Sequence, residues 1–89
     1  ESVCEVLHED AELRTVRCTF SPGLGHVRHF HPRHFGRALS GGKMQITSDS
    51  GTREVTLKTG SYFFSEGIAW HEAVNVGDTT VCYLTVEPK

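Results

Sequence analysis

Six histidines stand in a chain of 89 residues, and four of them, His26, His29, His31 and His34, fall within the run GLGHVRHFHPRHFGRALSGG at residues 23–42. Imidazole titrates near neutrality and is the commonest metal ligand. His29 and His31 are two apart, a spacing that projects both rings from one face of a strand. Two neighbouring imidazoles on a rigid strand can grip one cation. Pro32 follows at once and ends regular pairing there, so the chain beyond turns back and offers His34 from another direction. Far downstream, His71 follows Trp70 on a second strand-like segment. Two histidines from one strand and one from another make three facial ligands and leave positions open for water or substrate. A His-x-His pair alone is a weak signal, because surface strands carry such pairs by chance. His8 sits among acids in a turn region, and His26 lies ahead of the strand with odd parity relative to His29. Both read as non-ligands.

The elements that must position these rings read as strands. Nine glycines and three prolines cut the chain into short pieces. Valine, threonine and isoleucine are frequent, and their stiff χ1 angles suit strands. No stretch of a dozen residues keeps a helical apolar stripe. Alternation recurs instead: Val16, Cys18 and Phe20 on one face; Val27, His29 and His31; Met44 and Ile46; Val55 and Leu57; Tyr62 and Phe64; His71, Ala73 and Asn75; and a last strand from about Thr79 to Glu87. Ser48-Asp49-Ser50-Gly51 is a hairpin signal, and residues 8–14 read as an acidic turn between two strands. Many short strands with regular turns point to a single all-β domain, a sandwich or barrel.

Composition narrows the function classes. Charged residues make up 22% and hydrophobic ones 37%, with a net charge of −2. That balance fits a soluble globular domain, gives no reason to expect nucleic-acid binding, and leaves no apolar run long enough for a membrane helix. Cys4, Cys18 and Cys82 lack zinc-motif spacing and read as small buried hydrophobes in a reducing, cytoplasmic compartment; one disulfide with a thiol left over is the alternative. The first twelve residues carry five acids and no lysine or arginine, whereas residues 26–37 carry Arg28, Arg33 and Arg37 and no acid. Arginines beside a metal would favour an anionic ligand. Arg28 alternates with His29 and so faces away from it, while Arg33 and Arg37 flank the turn and stay open. Phe35, Tyr62 and Phe64 could line a pocket.

The spacing around the histidines resembles the cupin superfamily. Its first motif is Gly, five residues, His-x-His, three or four residues, Glu, six residues, Gly. This chain has Gly23, five residues, then His29-Phe30-His31. The second motif is Gly, five residues, Pro-x-Gly, two residues, His, three residues, Asn. This chain has Gly60, five residues, Glu66-Gly67-Ile68, two residues, His71, three residues, Asn75. The glutamate is missing, and counting back seven from Gly41 lands on His34. Glu66 and Ile68 replace the inner Pro and Gly.

The resemblance implies an antiparallel double-stranded β-helix, a jelly-roll barrel, spanning 1–89 as one domain. It implies one divalent transition metal (Zn, Fe, Ni, Cu or Mn) held by His29, His31 and His71, with His34 in the place of the carboxylate. Such an all-imidazole site adds no negative charge and leaves the cation more Lewis acidic. The resemblance also implies a homodimer. Relatives include dioxygenases, isomerases, decarboxylases and lyases, and the small size equally suits a module that senses or binds a small molecule without turnover. Neither a G-x-S-x-G nucleophile nor a phosphate-binding loop is present, so any catalysis would depend on the metal.

Overall fold

The computed structural model describes residues 3–89, without the side chains of residues 26–31 and 68–71. The described residues form nine strands: β1 (Cys4–Glu9), β2 (Leu13–Phe20), β3 (Gly25–His31), β4 (His34–Ser40), β5 (Gly42–Ser48), β6 (Gly51–Leu57), β7 (Tyr62–Ser65), β8 (Ile68–Asn75) and β9 (Val81–Pro88). They make two antiparallel sheets, one ordered β1-β2-β9-β4-β7 and the other β3-β8-β5-β6. This is the double-stranded β-helix that the motifs implied. The alternation that suggested strands sorts residues between core and solvent. In β2, Val16, Cys18 and Phe20 are buried while Arg17 and Thr19 are exposed; in β4, His34, Gly36 and Ala38 are buried while Phe35, Arg37 and Leu39 are exposed. Val3, Val16, Cys18, Phe20, Met44, Ala73 and Val81 form the core between the sheets.

The hairpin at Ser48–Gly51 forms as its residues suggest, with Ser48 paired to Gly51. The acidic segment is a turn: the Asp10 carboxylate accepts hydrogen bonds from the Glu12 and Leu13 amides at 2.8 and 3.0 Å. The last strand starts later than its apolar pattern suggests. Thr79 is held outside it, its hydroxyl donating to the Gly41 carbonyl and its own carbonyl accepting from Asn75.

Two motif positions acquire physical reasons. Gly23 and Gly60, the leading glycines of the two motifs, have φ of +83° and +85°, a region that side chains with a Cβ rarely enter. Asn75, the closing residue of the second motif, is fully buried. Its amide donates to the carbonyls of Phe20 (2.9 Å) and Thr79 (2.7 Å), and its side-chain oxygen accepts from the Gly77 amide (2.9 Å). Its backbone also pairs with Leu24 and Gly23. One residue thereby ties the end of β2 and the loop before β9 through its side chain, and the segment leading into β3 through its backbone.

The cysteines correct the sequence expectation. Cys4 and Cys18 are directly opposed in the β1–β2 ladder, with Cα atoms 4.0 Å apart, and form a disulfide, while Cys82 keeps a free thiol. The pair lies 14 positions apart in sequence, and the hairpin register aligns them. The expectation of three reduced thiols therefore no longer supports a reducing compartment.

Candidate functional site

The two motif strands, β3 and β8, are neighbours, and their backbone register pairs Gly25 with Val74, His26 with Ala73, His29 with His71, and His31 with Ile68. The ladder is irregular on both sides of the His29–His71 pair. From His26 to His29, β3 advances three residues against two on β8. From His29 to His31 it advances two against three. Such bulges kink a strand and re-aim its side chains, and they recur beside functional sites. The side chains of His26, His29, His31 and His71 lie outside the described residues, so the expected ligand trio is placed by backbone register alone. Among the described residues, no group of three or more His, Cys, Asp or Glu side chains could hold a metal ion.

His34 is described in full. It opens β4, opposite Ser65 of β7, and is only 6% exposed. Its Nδ1 lies 2.9 Å from the Pro32 carbonyl. A carbonyl only accepts, so Nδ1 is the donor, and in the neutral ring the lone pair lies on Nε2. The ring meets the edge of Phe63 at a centroid distance of 6.2 Å.

His34 lines a cavity of ≈ 280 Å³ between the sheets, close to the lower end of ligand pockets, roughly 300 Å³. Met44, Ile46, Val55, Leu57 and Ala73 line one wall, from β5, β6 and β8. Phe63, Phe64, Ser65 and Tyr83 line the other. Phe63 turns its ring over Gly36, its partner in the ladder, where a Cβ would collide with the ring. Tyr83 packs edge-on to Phe63 at 5.6 Å and stacks on Phe20 at 5.9 Å. Burial pushes its phenol up to about 12, so it stays a hydrogen-bond donor at neutral pH.

Of the residues expected to meet a small molecule, Phe64 borders this cavity. Arg33, Arg37, Phe35 and Tyr62 lie elsewhere. Strand parity turns Phe35, Arg37 and Tyr62 to the outer face of the five-stranded sheet, where Phe35 stacks on Tyr62 at 5.6 Å and the Arg37 guanidinium sits 5.1 Å over the Tyr62 ring. Arg33 reaches the exposed Glu66 at 3.5 Å and lies 5.3 Å over Phe64. His8 is exposed and bonded to Asp10 at 2.9 Å. Tyr83, Ser65 and Arg53 belong to the cavity lining and did not stand out by spacing. For Arg53 the signal was its parity with Val55 and Leu57.

Residues 16–87 match the family model for the cupin domain. Among solved structures, a cupin domain from Bordetella pertussis superposes with a TM-score of 0.91 at 18% identity, covering 99% of this chain and 93% of that one. The polyketide cyclase RemF from Streptomyces resistomycificus follows at 0.69 and 25% identity, covering 96% and 63%. The DMSP lyase DddQ from Ruegeria pomeroyi gives 0.72 at 18% identity, covering 97% and 46%. The chain thus spans less than two thirds of either enzyme. No curated protein matches the sequence.

Proposed function

The chain belongs to the cupin domain family, and on that premise we propose that it binds or transforms a small organic molecule at a divalent metal held by histidines inside the barrel. The direct pairing of His29 with His71 on neighbouring strands carries this proposal. His31 follows two residues along β3, and His34 adds a buried ring with its lone pair on Nε2. A backbone carbonyl that fixes the tautomer of a histidine is the usual support behind a metal ligand. This donor set fits a borderline cation such as Zn, Fe, Ni, Cu or Mn. When bound, such a metal would supply Lewis acidity to a coordinated oxygen. The chain's own residues would do the rest. Met44, Ile46 and Phe63 exclude water from the cavity, and the Tyr83 hydroxyl donates a hydrogen bond to a ligand oxygen.

An alternative role is a sensing or binding module without turnover. It is favoured by the absence of any carboxylate among the described residues that line the cavity, which leaves few groups for general acid–base work. Elemental analysis of the purified protein, followed by thermal-shift titration with Zn, Fe, Ni, Cu and Mn, tests the metal. The expected result is about one equivalent bound and a raised melting temperature. An absence of bound metal together with no uptake of any of these metals would overturn the proposal. Product formation from small carboxylates and diketones by the iron-loaded protein would separate the enzyme from the sensor.

A further inference from the structure

Arg53 is the one lysine or arginine among the described residues that line the cavity. It sits on β6, an edge strand of the four-stranded sheet, paired with Ile46 and sharing parity with Val55 and Leu57. Those three neighbours are cavity wall, so Arg53 continues the inner face to the mouth of the barrel, where it is exposed. The other arginines with described side chains are engaged. Arg14 pairs with Glu87, Arg17 with Glu5 and Arg33 with Glu66, while Arg37 stacks on Tyr62. Arg53 has no carboxylate within ion-pair distance among the described residues. A second polar group points to a ligand as well. Tyr83 lines the same cavity, and its hydroxyl makes no hydrogen bond among the described residues. Tyr83 is partly buried, and a shielded hydroxyl left without a partner is costly, so a bound molecule that supplies one is favoured.

We infer that the cavity takes a small organic acid with an apolar body, its carboxylate held by Arg53 at the mouth and its hydrocarbon part packed on Met44, Ile46, Val55 and Phe63. A guanidinium recognises a carboxylate through two parallel hydrogen bonds, and the apolar side chains of β5 and β6 suit a hydrocarbon body. The Tyr83 hydroxyl meets an oxygen on the inner part of the molecule. This inference rests on the proposal that the barrel holds a small molecule, and adds the ligand's charge and the residue that reads it.

The test is an NMR titration of isotope-labelled protein with matched probes: benzoate against benzamide, and phenylacetate against phenylacetamide. Wild type is expected to bind each acid at least roughly tenfold more tightly than its amide, the discrimination a charge-assisted hydrogen bond provides. Arg53→Met keeps the aliphatic stem. It is expected to abolish the preference while leaving the amide Kd within about twofold, which also shows that the variant is folded. Arg53→Lys should recover part of the preference. If Arg53→Met retains the acid preference, or wild type shows none, the inference fails and the wider proposal stands. If no probe shifts Met44, Ile46 or Phe63, both fail.

Discussion

The Nδ1 of His34 donates its proton to the carbonyl of Pro32, two residues earlier in the chain, at 2.9 Å. The proline that ends β3 thus orients the ring that opens β4. If His34 is the fourth ligand, His34→Ala is expected to weaken Zn or Ni binding by roughly tenfold or more, as read by isothermal titration, with an unchanged strand spectrum by circular dichroism. Unaltered affinity in a folded variant would remove His34 from the donor set.

Asn75 is expected to matter for stability whatever the ligand. Asn75→Ala leaves two buried carbonyls and one amide without their partner. At about 1–3 kcal/mol for each orphaned group, partly relieved by water, the loss should be about 3 kcal/mol by urea unfolding. A loss below about 1 kcal/mol would mean that the loop before β9 does not depend on this side chain.

Reduction of the Cys4–Cys18 bridge opens a closed loop with a sequence separation of 14. A loop of that size contributes about 3 kcal/mol by restricting the unfolded chain. The melting temperature should therefore fall by roughly 10–20 °C for a domain this small. Thiol titration of the denatured, unreduced protein should find a single group, Cys82. Three free thiols before reduction would refute the bridge.

The pH dependence at the alkaline end follows from Tyr83. Burial raises its folded-state pKa from 10.0 to about 12, so the fold favours the neutral phenol. That contribution is complete below about pH 10 and is lost as the pH rises toward 12. The tyrosinate absorbance of wild type should show a late component that Tyr83→Phe lacks. An identical late component in both proteins would show that Tyr83 titrates without the effect of burial.

Much of the architecture was legible because strand parity and turn chemistry are local. Val16, Cys18 and Phe20 alternate into the core, and Ser48-Asp49-Ser50-Gly51 turns where its residues suggest. The spacing of Gly60 and Asn75 was legible for the same reason, since Gly60 takes a positive φ and Asn75 makes buried hydrogen bonds. Features that depend on strand register and on which face a strand turns inward were not. Cys4 and Cys18 meet through the register of a hairpin whose turn residues do not specify that register. Phe35 and Tyr62 looked suited to a pocket by composition, yet β4 and β7 turn them outward. Arg53 lies between Thr52 and Glu54, where nothing adjacent marks it; its pairing with Ile46 in the β5–β6 ladder sets it beside the cavity wall.

The two irregularities in the β3–β8 ladder cancel. Residues 26–31 on one strand are answered by residues 68–73 on the other, six against six, although the steps between them are unequal. The kinks are therefore a matched pair, like an inserted letter and a deleted one that restore the reading frame. A change of length by one residue in either strand would leave one kink uncorrected and reverse the face of everything that follows. Around His29 and His71 it is the matched pair of unequal steps that keeps the two strands in frame.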